Sequence, residues 1–286
     1  MTPEDLVDGI DKLVSLPEIA IQVNQMMEQP NCSSAKLAEI ISSDVDISAR
    51  LLKLVNSPFY GLRSEVDTIS RAVTITGTHE LQNLVLATTA VRSFNGIPEN
   101  LVNMDDYWRH AIITGVMAQM LAVYSNALHS ERLFVAGMLH DIGRLVIYLR
   151  LPDQAIEIMK INRGDEWILA NAEEQVLGFN HMDVGAALMK SWHLPESLMS
   201  VAKNHHRPAH ATEYKLDVAL VHIALAIARG EMTGLSVDEM LWAIEPSVWE
   251  VTGLNPQLIT PHVDEMLSVS LDTIGTILEP ATQKRA

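Results

Sequence analysis

Six residues that could bind a transition metal are spread between positions 110 and 206 of the sequence. His140 and Asp141 are adjacent, and imidazole and carboxylate groups are common ligands of divalent transition metals. Because consecutive helical residues point about 100° apart, this pair can share one ion only where other helices complete a pocket. Histidines elsewhere in the sequence can complete it. The sequence therefore predicts one or two divalent ions held by His110, His140, Asp141, His181, His205 and His206.

Several of these residues also have interpretations that need no metal. A His-Asp dipeptide can be a capped polar pair at a helix end, and His205 and His206 can pair with the C-terminal dipole of a helix. His110 alone can be a buried, hydrogen-bonded histidine, and the whole set can form a dry or pH-sensitive cluster. Asp106 precedes His110 by four residues, so both side chains lie on one helix face. Mixed imidazole and carboxylate ligation fits Fe, Mn, Zn and Ni about equally well, so the sequence does not determine which metal binds.

The overall charge of the chain is strongly acidic. A net charge of −16 argues against DNA binding, since phosphate recognition needs clustered Lys and Arg, and against an anionic membrane surface. The one cysteine, Cys32, excludes an internal disulfide and fits a reducing compartment. No signal-peptide pattern and no run of ~18 apolar residues occurs, so we expect a soluble, cytoplasmic protein without a membrane span.

Helical periodicity runs through the whole sequence, while the alternation typical of strands is scarce, and this predicts an all-α fold. Pro and Gly make Asn95-Gly96-Ile97-Pro98 the clearest break in the first half, where we expect a domain boundary. The predicted parts are an N-terminal helical half over residues 1–98, a half with the His/Asp set over residues 99–230, and a C-terminal helical extension over residues 231–286.

The predicted helices place the candidate ligands in different local settings. His110 falls within a helix over residues 105–124, and His140 and Asp141 fall near the centre of a single helix over residues 131–150. His181 lies close to a helix start, and His205-His206 lie at a helix end. Of the other histidines, His222 stands out because it lies in an apolar helix.

The sequence resembles the HD-related output domain (HDOD) in motifs that run in family order over roughly residues 10–230. In the first half these are Asp44-Val45-Asp46-Ile47, the run from Leu51 to Gly61, and Ile69-Ser70-Arg71-Ala72-Val73. In the second half they are Trp108-Arg109-His110, Ala136 to Gly143, Gly178-Phe179-Asn180-His181, Val184-Gly185-Ala186, Trp192-His193-Leu194-Pro195 and Asn204 to Pro208. The resemblance implies a multi-helical, HD-domain-like bundle with an additional N-terminal helical bundle, related to the HD phosphohydrolases and the HD-GYP domains.

The resemblance also implies roles for individual residues. Superfamily enzymes hold divalent ions with histidines, a His-Asp pair and a later aspartate; the six residues above match all of these except the later aspartate. Asp106 lies where HD-GYP members place a further carboxylate. Leu225 stands at the position of the later aspartate, and Arg207-Pro208-Ala209-His210 replaces the tripeptide that names the HD-GYP group. These two departures predict that metal binding is retained better than catalysis.

Two functions follow as expectations. The first is a signalling or regulatory module with a divalent-metal site, weak or no hydrolase activity, and a signalling protein as partner. The alternative is a metal-dependent phosphohydrolase that acts on phosphomonoesters, nucleotides or cyclic dinucleotides, with the phosphate bound by Arg144 or Lys203. In that case the bound ions would activate a water molecule and neutralise charge on the phosphate.

Overall fold

The computed structural model describes residues 1–8, 10, 17–29, 32–94, 96–166, 168–242 and 244–278. These residues contain helices and no strand, which confirms the predicted all-α fold. The first six helices are α1 (Pro3–Val7), α2 (Glu18–Met27), α3 (Ser34–Ser42), α4 (Val45–Val55), α5 (Ile69–Thr76) and α6 (Thr78–Ser93). None of the described helices has the length and apolar character needed to cross a membrane.

The following helices carry the candidate ligands and the C-terminal part. They are α7 (Met104–Tyr124), α8 (Arg132–Leu139), α9 (Ile142–Arg150), α10 (Pro152–Asn162), α11 (Leu169–Leu177), α12 (His181–Ser191), α13 (Glu196–Asn204), α14 (Lys215–Thr233), α15 (Val237–Trp242), α16 (Pro246–Thr252), α17 (Pro256–Ile259) and α18 (Val263–Leu278). Short 3₁₀ turns occur at Pro208–His210 and Thr260–His262.

Side-chain caps set the starts of the helices in the first part. Ser33, Asp44 and Thr68 each accept a hydrogen bond from a backbone N–H in the first turn of the helix that follows. Such caps satisfy amides that have no partner inside the helix and are worth about 1 kcal/mol each. The starts of α3, α4 and α5 are therefore encoded locally.

The main hydrophobic core of the described residues runs from Leu6 in α1 to Ile277 in α18, and a small separate cluster lies between α10 and α11. Helices α7 and α14 lie at its centre, and each buries residues around most of its circumference. The first and last described helices also join it: α1 packs on α12, and α18 packs on α7 and α4. The Arg50 guanidinium donates a 3.0 Å hydrogen bond to the Ile277 carbonyl. The proposed division near residue 98 stays a prediction.

The predicted single helix over residues 131–150 is wrong. It is two helices, α8 and α9, and the chain turns at His140 and Asp141, where Asp141 adopts φ −99° and ψ 8°. A continuous helix would point these neighbouring side chains about 100° apart. The turn instead lets both approach the same region of the protein. Apolar periodicity on either side of a polar pair does not reveal such an interruption.

Glycines bring the helices around this turn unusually close together. A Cβ on Gly143 would lie 2.0 Å from the His181 carbonyl oxygen and 2.5 Å from the Gly185 amide nitrogen. Across the turn, a Cβ on Gly137 would lie 2.7 Å from the Gly115 Cα in α7. Any larger residue would force the backbones apart, so the two crossings hold His140 and Asp141 against α7 and α12.

Helix α6, which packs on α8, carries a buried carboxylate. Glu80 in α6 is 3% exposed and accepts a hydrogen bond from the Tyr60 hydroxyl, while its Oε2 atom has no partner. Phe59, beside Tyr60, packs on Phe134 of α8 with ring centroids 5.2 Å apart. Burial raises the pKa of Glu80 to about 7, against the opposing effect of the Tyr60 hydrogen bond.

We expect Glu80→Gln to flatten the pH dependence of stability. A carboxyl whose pKa rises from 4.5 to about 7 on folding binds more protons in the folded state, so the free energy of unfolding falls as pH rises from 4.5 to 7. Since one pKa unit corresponds to about 1.4 kcal/mol, the variant should be more stable than the wild type at pH 8 by up to about 3 kcal/mol. Urea unfolding at several pH values measures this difference.

The matched control is Glu65→Gln, which removes an exposed carboxylate from the same part of the chain. Its stability profile should follow that of the wild type. The raised pKa would be contradicted if Glu80→Gln were no more stable than the wild type at pH 8 and if its free energy of unfolding changed with pH below 7 as that of the wild type does.

Candidate metal centre

Four of the predicted ligands converge in the interior of the protein. Asp141 lies at the turn between α8 and α9, His181 is the first residue of α12, and His205 and His206 follow α13 directly. One possible ligand atom from each residue lies within 4.8 Å of those of the other three. The structure therefore forms, from three separate segments, a group of three imidazoles and one carboxylate that could hold an ion.

Hydrogen bonds to Nδ1 set the tautomer of two of these histidines. His181 Nδ1 donates to Glu173 Oε2 at 2.6 Å, and the same oxygen accepts the His181 backbone amide at 2.8 Å. His205 Nδ1 donates to the Ala202 carbonyl at 3.0 Å. A neutral imidazole that donates through Nδ1 keeps its lone pair on Nε2, the arrangement commonly found around metal-bound histidines.

These Nε2 atoms meet at one oxygen of Asp141. His181 Nε2 and His205 Nε2 each lie 3.3 Å from Asp141 Oδ1 and 3.4 Å from each other. His206 Nε2 and Asp141 Oδ1 are both buried without a hydrogen-bond partner. Lone pairs that face one another at low dielectric repel, so this centre requires a proton or a cation between them. A divalent ion fits that requirement.

His140 adjoins this group of four. Its Nδ1 donates to the Gly137 carbonyl at 2.5 Å, and its Nε2 is buried without a hydrogen-bond partner, 3.8 Å from Asp141 Oδ2. The ring centroid lies 4.9 Å from that of His205 and 5.7 Å from that of His110. His140 thus presents a free lone pair next to the centre, while His110 lies beyond it. The assignment of these residues as ligands, and the number of ions, stay predictions.

Burial keeps most of these imidazoles neutral. It lowers the pKa of His140 to about 4 and that of His110 to about 3, and holds the pKa of His206 well below its usual value. A neutral imidazole is the form that binds metal, because protonation removes the lone pair. At pH 7 a cation therefore meets little competition from protons at these three rings.

Neighbouring charges oppose the effect of burial on the pKa values of His181 and Asp141. Burial alone would lower the pKa of His181, but the Glu173 carboxylate outweighs it and the pKa rises. Burial would raise the pKa of Asp141, yet His140 and Arg144 hold it well below its usual range. Asp141 is therefore an anion at neutral pH, as a metal ligand must be.

A cavity of about 350 Å³, which we call the metal cavity, opens beside the centre. Asp106, Tyr107 and His110 of α7 form one wall, and Leu225 and Arg229 of α14 form another. The Tyr107 hydroxyl is buried there without a partner. Leu225, which is 4% exposed, presents an aliphatic side chain where the resemblance implies a carboxylate. Asp141, Arg144 and His206 complete the polar part of the lining.

The two predicted phosphate-binding residues lie in different places. Arg144 lines the metal cavity, donates to Asp141 Oδ2 at 2.9 Å, and pairs with both carboxylate oxygens of Glu166 at 3.0 and 3.1 Å. Lys203 has an exposed side chain on α13 and pairs with Asp183. The structure brings Arg144 to the centre and leaves Lys203 outside it.

Sequence reasoning missed Glu173 and Glu166, which hold His181 and Arg144. Glu173 had a detectable signal: it follows Leu169 and Ala172 on the buried face of α11, where an ionisable residue needs a partner. His222, which stood out in the sequence, has a structural role. Its Nδ1 donates a 2.6 Å hydrogen bond to the His205 carbonyl oxygen and so fixes the backbone at that candidate ligand.

The fold and the centre together define an all-helical protein with a buried His/Asp cluster, and comparison with known proteins assigns its family. The HDOD domain model matches residues 13–208, well over half of the chain, and the protein belongs to the HDOD family. An uncharacterised protein of Treponema pallidum (strain Nichols) is 30% identical over 223 residues, which are 77% of this chain and 42% of that protein. The chain thus spans less than half the length of this relative.

Solved structures share the fold. An HDOD domain protein with unknown function from Geobacter sulfurreducens matches over 96% of this chain and 98% of its own, with a TM-score of 0.75 and 21% identity. A protein of Shewanella amazonensis SB2B, described as a "Putative metal-dependent phosphohydrolase", matches over 97% of this chain and 98% of its own, with a TM-score of 0.67 and 24% identity. At these identities the likeness concerns the fold.

We expect Glu173→Gln to weaken metal binding by about 10- to 100-fold, the range typical when a partner of a metal-bound histidine is changed. The amide can still accept the His181 Nδ1–H, but it removes the negative charge that makes the ring a better donor to the ion. Competition with a fluorescent chelator, using Zn²⁺ or Mn²⁺, measures the affinity.

Glu174→Gln is the matched control, since it makes the same change on the next residue of α11. Glu174 accepts hydrogen bonds from Asn180 and Arg207, and neither bond involves His181. Its affinity should equal that of the wild type. Equal affinities in all three proteins would exclude a role for Glu173 in orienting a ligand.

Proposed function

We propose that this HDOD protein is a metal-binding regulatory module. It holds a divalent transition-metal ion at Asp141, His181, His205 and His206, transmits its state to a signalling protein partner, and has little or no hydrolase activity. The observation that carries the proposal is the convergence of His181 Nε2 and His205 Nε2 on Asp141 Oδ1, at 3.3 Å each, while Nδ1 of both rings bonds elsewhere.

The donor set supports a borderline transition metal. Three imidazole nitrogens and one carboxylate oxygen suit Fe, Mn, Zn or Ni, whereas Mg²⁺ and Ca²⁺ prefer oxygen ligands. His140 Nε2, buried beside Asp141 without a partner, is available as a fifth ligand or for a second ion. The ion would neutralise the charge of Asp141 and thereby stabilise this arrangement.

Leu225 supports the regulatory function over an enzymatic one. A carboxylate at this wall of the metal cavity would contribute charge to the centre and orient water, and an aliphatic side chain does neither. A centre that binds an ion without this group can still act as a structural or sensing element, because metal binding stabilises the state that contains the formed site. The signalling partner is an expectation from the HDOD family.

Purified without chelator or nickel resin, the protein should contain close to stoichiometric metal by elemental analysis. Replacement of both His140 and Asp141 by Ala should abolish the metal content and leave the helical circular dichroism largely intact, because the change removes two candidate donors at a turn between helices. Metal in the double variant equal to that in the wild type would defeat the assignment. Helicity measured on the same samples separates loss of metal from loss of fold.

A metal-dependent phosphohydrolase is the second candidate, and the metal cavity favours it. The cavity adjoins the centre and contains Arg144 and the unpartnered Tyr107 hydroxyl, which can donate to a phosphate oxygen. When bound, a divalent ion would supply an activated water and neutralise phosphate charge. Tyr107 would orient the phosphate, and Arg144 would bind it by exchanging its contact with Glu166. The Shewanella relative carries the corresponding description.

Leu225→Asp separates the two candidates. If this position limits catalysis, the variant should bind Mn²⁺ or Zn²⁺ more tightly and hydrolyse p-nitrophenyl phosphate at least about tenfold faster than the wild type. Leu225→Asn is the matched control of similar size without the charge, and it should show neither gain. Thermal melts with and without metal show whether a bound ion offsets the loss of stability that a buried carboxylate causes in Leu225→Asp. A wild-type kcat of roughly 1 s⁻¹ or more, within the usual enzyme range, would favour the hydrolase instead.

A further inference from the structure

A second cavity lies behind the metal centre. It measures about 340 Å³, a size typical of small-molecule sites, and we call it the side pocket. Its walls come from α9, α10 and α11, and it shares Val102, Arg144, Gly164 and Glu166 with the metal cavity. The ion pair between Arg144 and Glu166 therefore lies on the boundary of both cavities.

Apolar side chains form most of the side pocket. They are Leu101 and Val102, which precede α7, and Ile147, Ala155, Ile158, Met159 and Leu169 on α9, α10 and α11. Broad aliphatic walls favour the two faces of a flat ring, and a Met thioether makes favourable contacts with aromatic rings.

One buried amide in the side pocket has an unmet hydrogen bond. Asn162, the last residue of α10, is 6% exposed, lines the pocket, and its Oδ1 atom has no hydrogen-bond partner. Leaving a buried acceptor unpaired costs about 1–3 kcal/mol, so such groups in native structures call for an explanation. An Asn side chain presents an acceptor beside a donor, the pattern that pairs with the edge of an adenine ring.

The charges of the side pocket exclude an anion as the preferred occupant. Its cation, Arg144, already pairs with Glu166 and Asp141, and its other carboxylate, Glu173, is bonded to His181. A phosphate placed here would meet two carboxylates and would have to displace one of them from Arg144. An uncharged molecule avoids that cost.

We propose that the side pocket binds an uncharged, flat heteroaromatic ring that carries a hydrogen-bond donor beside an acceptor, of the chemical type of a purine nucleoside. The ring packs between the aliphatic walls and pairs with Asn162. This binding needs neither metal nor hydrolysis and goes beyond the proposed function. Since Arg144 and Glu173 bond Asp141 and His181, the ligand also adjoins two candidate metal ligands through their hydrogen-bond partners.

Isothermal titration of the full chain with adenosine tests the proposal, with AMP as the charged comparison. Adenosine should bind with 1:1 stoichiometry to metal-free and metal-loaded protein, and AMP should bind at least about tenfold more weakly. Asn162→Leu should weaken adenosine binding by about tenfold or more, because it removes the amide that pairs with the ring and replaces it with an apolar side chain of similar size. Ala155→Leu, which fills the pocket, should have the same effect.

Stability distinguishes binding from a structural role of Asn162. Because Leu leaves no buried acceptor unpaired, Asn162→Leu should melt at the same or a higher temperature than the wild type. Absence of adenosine binding in the wild type, or unchanged affinity in both variants, would overturn the proposal. AMP that binds as well as adenosine and only with metal present would place the compound in the metal cavity and also overturn it. Metal content, measured separately, tests the proposed function.

Discussion

The structure depends on a group of lone pairs directed at one another in the interior. The Nε2 atoms of His181 and His205 and the Oδ1 atom of Asp141 lie 3.3–3.4 Å apart. Each is fixed from behind, the two rings by hydrogen bonds at Nδ1 and the carboxylate by Arg144. Such a group is stable only with positive charge at its centre, because low dielectric strengthens the mutual repulsion. The Nδ1 hydrogen bonds direct both Nε2 atoms toward Asp141, and Arg144 helps to keep Asp141 ionised. Both features favour a positive charge at the centre.

Backbone contact between helices makes this convergence accurate. The turn at Asp141 is flanked by Gly137, against α7, and by Gly143, against the start of α12. At both crossings a Cβ would overlap backbone atoms, so the helices cannot slide or separate without losing these contacts. These crossings consequently hold the main chain of Asp141 and His181, while Arg144 and Glu173 orient the two side chains. A rigid frame of this kind suits a centre whose ligands must agree in position to a fraction of an ångström.

A buried polar network extends from the centre toward both cavities. Arg144 bonds Asp141, Glu166 and the Tyr148 hydroxyl. Arg144, Asp141 and Glu166 line the metal cavity. Buried ion pairs contribute little net stability, since desolvation offsets much of their attraction, but they restrict geometry. The network therefore joins two candidate metal ligands, Asp141 and His181, to residues that line the side pocket.

The sequence by itself determined the all-α class, the candidate metal-binding residue types, the helix start at His181, the helix end at His205 and the aliphatic residue at Leu225. These properties depend on local periodicity, capping and residue identity. Only the tertiary structure decided that the chain turns at Asp141, that Arg144 reaches the centre while Lys203 stays outside, and that Glu173 orients His181. The physical reason is that periodicity reports which face of a helix is buried, whereas convergence depends on where helices cross, and here backbone contacts at glycines set those crossings.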